Sequence, residues 1–418
     1  MTVRRSSLHG SLRAPSSKSY THRALFCAAL ARGESTLHSP LICDDTLASA
    51  EALSKLGVTT QWEEGNAHVS GLRELRKPSS EIHCGESGTT LRFMTAVCAT
   101  TPHDAHISGG PSLLRRPVGD LALALQKLGA RCSCDHGCPP VHVRGPIKGG
   151  SVEIPGNVSS QYVSALLLAA PLAKIRVEVA VGGRLESKSY VGMTLEMQRK
   201  FAVHVDAADD LGRLGSEPQE YMPSDVEIEG DWSSAAYLLA ATTIAGEKVN
   251  VDGLAPETHQ ADRHMLRIIE KMSGRANVKS GCVTVERSQL KPVEVDVADC
   301  PDLFPAVCVL CAVADGISTI TGTRRLRIKE SDRVLAMSNG LKRMGIETRQ
   351  SENSFTIRGG TLRDAIIDPN RDHRIAMAFA ALGLRTDEAT ILDAECVRKS
   401  YPSFWQDLQC LGADVKAH

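Results

Sequence analysis

The feature that most constrains this chain is a sixfold internal recurrence. A polar or charged lead, followed by an Ala/Leu/Val-rich stretch of helical periodicity, begins near Lys18, Gly88, Ser159, Asp231, Asp302 and Asp372. The spacing of roughly 70 residues is too long for one turn of a solenoid and long enough for a compact α/β unit. Each lead helix is followed by a short β-like stretch, as at 248–251 and 318–321, and then by a second, amphipathic helix. Those second helices are expected over 45–56, 116–128, 189–201, 260–272 and 331–344. Most copies close on a glycine (Gly57, Gly129, Gly274, Gly345, Gly412), the residue suited to a left-handed helix end, and the third copy lacks it.

Composition narrows the partners. With 418 residues, 42% of them hydrophobic, and a net charge of -1, the chain can bury sizeable cores in two or three domains. Aromatic residues are only 4%, and together with the balanced charge this argues against a nucleic-acid surface. The arginines near the N-terminus are not followed by an apolar run, so no signal peptide is expected. The apolar stretches at 163–173 and 305–314 fall short of the roughly 18 residues that span a bilayer, so a cytoplasmic protein with no membrane partner is expected. Most of the thirteen cysteines lie in apolar runs and read as small buried hydrophobes, Cys308 and Cys311 included. Cys132, Cys134 and Cys138 with His136 and His142 match no zinc spacing, and Pro139-Pro140 is expected to break that segment, so no metal is expected.

The leads share a physical meaning. Ser, Asp and Thr at a helix start satisfy free backbone N–H groups, and the same ends attract anions. One lead alone, such as Asp302, reads as an ordinary cap. Leads that also carry Lys18, Arg23, Arg92, Gln161 and Arg374 would form an anion-attracting cleft if they packed together. Lys18-Ser19 opens the first helix, with Arg23 one turn on. Gly85-Glu86-Ser87-Gly88-Thr89 precedes the helix bearing Arg92 and could cradle a phosphate, although it matches no Walker or Rossmann pattern. Arg115-Arg116-Pro117 is expected to start a helix after Gly109-Gly110-Pro111, and Ser159-Ser160-Gln161 offers neutral hydrogen-bonding groups. The run with Arg324, Arg325, Arg327, Lys329, Glu330, Asp332 and Arg333 reads by itself as a solvated surface. Asp372-His373-Arg374 opens an otherwise apolar helix, which points to a site.

Taken in order, these segments resemble the enolpyruvyl transferase family, and within it the branch that acts on shikimate 3-phosphate. The matching positions are 15–19 with Arg23, Gly88-Thr89 with Arg92, Arg116-Pro117, Ser159-Ser160-Gln161, Ser187 with Tyr190, Pro301-Asp302, 329–333, Asp372-His373-Arg374 and Lys399. The resemblance implies an α/β fold of two similar domains, residues 16–229 and residues 1–15 plus 230–418. Each would hold three βαβαββ-type units as an inside-out α/β barrel, with the active site in the interdomain cleft. It also implies transfer of the enolpyruvyl group of phosphoenolpyruvate to the 5-hydroxyl of shikimate 3-phosphate, through a tetrahedral intermediate and with release of phosphate. That step belongs to chorismate and aromatic amino acid biosynthesis and would need no cofactor, no metal and one chain.

By the same resemblance, Asp302 would take the hydroxyl proton, and Glu330 and Lys18 would share proton traffic at C3. Phosphoenolpyruvate would be held by Lys18, Gly88, Arg92, Arg116, Gln161, Arg333, Arg374 and Lys399. Shikimate 3-phosphate would be placed by Lys18, Ser19, Arg23, Ser159, Ser160, Gln161, Ser187, Tyr190, Asp302 and Lys329. Eight cations against Asp302 and Glu330 leave a surplus of six, suited to two phosphates and two carboxylates. Glu330 lies between Lys329 and Arg333, which favour its ionised form, whereas a proton donor must be protonated. The chain departs from the family's common pattern at Ser16, Glu86, Phe93 and Arg325, and Glu86 is expected to place a carboxylate beside the anion site. Gly88 is the small residue typical of glyphosate-sensitive members. The rival branch, acting on UDP-N-acetylglucosamine, typically carries a cysteine in the loop before its Arg-Pro, and residues 110–115 have none. A non-catalytic anion-binding relative would not need Lys18, Asp302 and Glu330 together.

Overall fold

The computed structural model describes residues 1–72 and 74–417. The chain forms two compact units, one of Ser16–Ile228 and one of Met1–Pro15 with Glu229–His418. The unit starting at Ser16 holds helices α1 (Lys18–Leu30), α2 (Asp44–Ser54), α3 (Gly88–Cys98), α4 (Gly119–Lys127), α5 (Ser160–Ala169) and α6 (Ser189–Lys200). The other holds α7 (Trp232–Ala245), α8 (Met265–Lys271), α9 (Phe304–Ala312), α10 (Arg333–Arg343), α11 (His373–Gly383) and α12 (Phe404–Cys410).

Among the described residues, each unit carries three four-stranded sheets of one spatial pattern. Around α3, α5, α9 and α11 the strand before the lead helix pairs parallel with the strand after it, as Ile82 does with Ile107 and Val152 with Val179. The helix supplies the crossover that parallel pairing demands. A second helix follows, and two more strands add antiparallel, so the spatial order is first, second, fourth, third. This is the expected βαβαββ unit, six times over. Some copies borrow a strand from afar: Val226–Glu227 opens the sheet around Gly33–His38, Leu8–Arg13 opens the sheet around Gly246–Asp252, and Thr2–Arg4 completes the last sheet.

The lead helices form the cores. α7, α9 and α11 pack on one another, and every residue of α7 from Trp232 to Ala245 is buried. A helix surrounded on all sides must be apolar all round, which explains why the Ala/Leu/Val stretches show no polar face. Cys308 and Cys311 belong to this core, where burial pushes the Cys311 thiol up to about 12. The second helices bury one stripe, in α10 through Val334, Met337 and Leu341. Among the described residues, no helix is long and apolar enough to cross a membrane.

Several local expectations are corrected. The helix expected from Arg116 begins at Gly119, because Pro117 holds Arg116 extended (φ -91°, ψ 133°). The helix expected over 260–272 is a 3-10 turn, Ala261–His264, followed by α8. Pro139 and Pro140 do not break their segment; they lie at the start of the strand Cys138–Arg144, a position that tolerates a missing N–H. Gly57, Gly129, Gly345 and Gly412 adopt positive φ as expected, but in the fourth copy Ser273 (φ 64°) takes the left-handed position in place of Gly274. In the copy without a glycine, Ala202 takes it (φ 61°).

Candidate active site

In the Ser16–Ile228 unit, the N-terminal ends of the lead helices meet through their polar residues. Ser17, Ser87 and Ser159 cap α1, α3 and α5, each side chain accepting from a backbone N–H in the first turn. Arg92, one turn into α3, donates to Gln161 Oε1 of α5 at 2.5 Å and to the Pro117 carbonyl at 2.9 Å. Its guanidinium lies 5.4 Å from the Tyr162 ring centre, and the Tyr162 hydroxyl donates to the same carbonyl at 2.7 Å. Gln161 Nε2 donates to Thr89 Oγ1 at 3.0 Å. Gly88 completes this group, for a Cβ there would stand 2.7 Å from Nη1 of both Arg92 and Arg116. Two buried arginine forks at one helix end suit a carboxylate or phosphate.

Lys18 Nζ pairs with Asp45 Oδ2 at 2.8 Å, with only 15% of the lysine side chain exposed. Arg23 is buried on the other side of α1. It donates to Thr194 Oγ1 (2.9 Å), the Ser19 carbonyl (2.8 Å) and the Tyr190 carbonyl (2.8 Å), and burial pushes it down to about 10. Ser187 sits at a left-handed turn (φ 56°) just before α6, and its carbonyl accepts from Tyr190 N. The Glu86 carboxylate accepts from Ser112 N, Ser112 Oγ and Leu113 N.

In the other unit the charges gather around Arg333, whose side chain is 1% exposed. Its Nη1 donates to Asp302 Oδ1 at 2.8 Å, its Nη2 to Glu330 Oε2 at 2.9 Å and its Nε to Asp372 Oδ2 at 2.9 Å. Arg374 Nη2 holds the second Asp302 oxygen at 2.9 Å. Asp302 is therefore not a helix cap: it lies in the 3-10 turn Pro301–Leu303, and α9 starts at Phe304 with no side-chain cap bond. Asp372 does cap its helix, accepting from Arg374 N at 3.0 Å. Burial opposes the charge on Asp302, but Arg374, Arg333 and Lys329 outweigh it and hold the carboxyl well below the usual carboxylate range. Burial pushes Lys329 down to about 8, with Arg333 and Arg325 adding to the effect and Asp302 opposing it. The charged run divides by burial: Arg325 and Arg333 are buried, while Arg324 stays exposed and pairs with Glu352. Lys399 is buried at the end of the 3-10 segment Ala394–Lys399, which packs on α11.

Asp45 and Asp262 escaped the sequence reading, as did the pairing of Asp372. Asp45 pairs with Lys18 and Asp372 with Arg333. Asp45 is 27 residues from Lys18, and nothing in the linear order joins them. Asp262 is buried, bonds Ser233 Oγ, and has no partner for Oδ1 among the described residues. Burial and the Asp302 charge push it up to about 7, with Arg374 and Ser233 opposing. Cys132, Cys134 and Cys138 lie on the strands Arg131–Asp135 and Cys138–Arg144.

Comparison with known proteins gives one answer along the whole chain. Residues 3–408 match the family described as EPSP synthase (3-phosphoshikimate 1-carboxyvinyltransferase). Proteins named 3-phosphoshikimate 1-carboxyvinyltransferase are similar at full length: that of Dehalococcoides mccartyi is 41% identical, covering 97% of this chain and 96% of its own. That of Halobacterium salinarum is 42% identical, covering 99% of each chain. A solved structure of EPSP synthase from Acinetobacter baumannii superposes with a TM-score of 0.82 at 26% identity, covering 100% of this chain and 99% of that one. With these matches along nearly the whole chain, the chain belongs to the EPSP synthase (3-phosphoshikimate 1-carboxyvinyltransferase) family.

Proposed function

We infer that this chain transfers the enolpyruvyl group of phosphoenolpyruvate to the 5-hydroxyl of shikimate 3-phosphate and releases phosphate. The observation that carries the reading is the Asp302 carboxylate held between Arg333 and Arg374, in a chain that matches the family over residues 3–408. A base for a sugar-like hydroxyl must be ionised, and the two arginines keep Asp302 so. They also make it a weak base while they hold it. A phosphoenolpyruvate anion that draws charge from Arg333 and Arg374 would raise its basicity, so the base strengthens when the electrophile is bound. Arg374 Nη1, buried and without a partner among the described residues, is a donor that such an anion would satisfy.

In this reading C3 of phosphoenolpyruvate is protonated from Glu330 or Lys18, and the 5-hydroxyl oxygen bonds to C2 as Asp302 takes its proton. Loss of a C3 proton and cleavage of the C2–O bond to phosphate then give the enol ether. Lys18, Gly88, Arg92, Arg116, Gln161, Arg333, Arg374 and Lys399 hold phosphoenolpyruvate. Ser19, Arg23, Ser159, Ser160, Gln161, Ser187, Tyr190 and Lys329, with Lys18 and Asp302, hold shikimate 3-phosphate. One chain is the working unit, since all of these residues lie on it. The test is phosphate release from phosphoenolpyruvate with either shikimate 3-phosphate or UDP-N-acetylglucosamine as acceptor. Release with the first alone is expected, and release with the second alone sinks the reading.

A further inference from the structure

The turn 84–88 ahead of α3 and the loop 108–116 ahead of α4 are zipped together. Cys84 N donates to the Ser108 carbonyl at 2.9 Å, and Gly110 N donates to the Gly85 carbonyl at 2.7 Å. The approach is so close that a Cβ on Gly109 would lie 2.7 Å from the Gly85 carbonyl oxygen, and one on Gly110 would lie 2.3 Å from Glu86 Oε1. Glu86 reaches across with its side chain. Its carboxylate accepts from Ser112 N (3.3 Å), Ser112 Oγ (2.5 Å) and Leu113 N (2.9 Å). These donors open the single 3-10 turn Leu113–Arg115, which ends on Arg116, whose N–H donates to the Leu113 carbonyl at 3.0 Å. Arg116 itself comes back over Gly88 beside Arg92. Glu86 thus fixes the start of the short segment whose end carries a site arginine.

We propose that Glu86 is a positioning residue: by holding Ser112 and Leu113 it sets where the Arg116 guanidinium stands, and so sets affinity for the phosphoenolpyruvate-class anion rather than for the acceptor. The proposal rests on Arg116 serving that anion. An ionised acceptor bonded to backbone amides makes stronger bonds than a neutral one, and losing it frees the segment. Glutamine keeps part of the link, because its amide oxygen, placed where Glu86 Oε2 stands, still accepts from Ser112 Oγ and Leu113 N, and only the longer bond from Ser112 N is lost.

The experiment is steady-state kinetics of phosphate release for the wild type, Glu86→Ala, Glu86→Gln and Ser112→Ala, varying each substrate in turn. Glu86→Ala is expected to raise KM for phosphoenolpyruvate by roughly five- to twentyfold, with KM for shikimate 3-phosphate changed by less than about twofold. Glu86→Gln should return to within about threefold of the wild type, and Ser112→Ala should fall between the two. Thermal unfolding and far-UV circular dichroism of each variant exclude misfolding, and if Glu86→Ala fails to fold, Ser112→Ala and Glu86→Gln carry the test. Equal rises in both KM values, or an unchanged KM for phosphoenolpyruvate in a folded variant, overturns the proposal. A wild type that releases no phosphate with shikimate 3-phosphate overturns the functional reading instead.

Discussion

Arg333 reaches Asp302 at 2.8 Å with its side chain almost wholly buried, and the same guanidinium also holds Glu330 and Asp372. Such a fan of ion pairs is costly to break from one side, because an unpaired buried charge remains. It also fixes Asp302 without any help from a helix end.

Asp302→Asn keeps the shape of the side chain and removes the base. Turnover is expected to fall by about a hundred- to ten-thousandfold, with the calorimetric affinity for shikimate 3-phosphate changed by about tenfold or less. Equal losses in kcat and affinity would make Asp302 a binding group only.

Lys329 titrates near pH 8 in the folded protein, against 10.5 for an ordinary lysine. Its charge is present below about 8 and lost above it, so kcat/KM for shikimate 3-phosphate should decline as pH rises through that value. Lys329→Arg, which stays charged, should abolish the decline. Stability should move the other way: between about 8 and 10.5 the unfolded chain holds the proton and the folded one does not, so this lysine's penalty is relieved as pH rises. Urea unfolding of wild type and Lys329→Met across that window checks the sign.

Gly88→Ala places a methyl group 2.7 Å from Nη1 of both Arg92 and Arg116, so the forks must move apart. KM for phosphoenolpyruvate is expected to rise about tenfold, while KM for shikimate 3-phosphate stays within about twofold. Glyphosate should inhibit the wild type competitively with phosphoenolpyruvate and the variant more weakly; undiminished wild-type turnover at saturating glyphosate contradicts this.

Ala202 stands at φ 61°, where other copies place Gly57, Gly129, Gly345 and Gly412. A left-handed alanine costs about 1–2 kcal/mol, and the extra freedom of an unfolded glycine returns about 0.5–1 of it. Ala202→Gly should therefore stabilise the protein by about 0.5 kcal/mol, read as a small rise in Tm with kinetics unchanged; a fall in Tm would show the strain to be absent.

The sequence by itself determined the repeat of lead helix, short strand and second helix and where its capping and basic residues fall, while the unit topology and the set of site residues were what the resemblance implied. The repeat rests on local properties: helical period, cap residues, turn glycines and strand propensity act over a few residues and recur six times. The resemblance ordered Lys18, Arg92, Gln161, Asp302, Arg333 and Arg374, but not who holds whom. The tertiary structure decided that Asp45 pairs with Lys18, that Asp372 and Glu330 share Arg333, and that Glu86 holds Ser112 and Leu113 of the 108–116 loop. It also decided that one charged run has a buried side and an exposed one. The physical reason is reach. A cap or a period is written within one turn of helix, whereas a buried ion pair joins residues up to 72 positions apart, as Arg374 joins Asp302, and only packing brings them within 3 Å of each other.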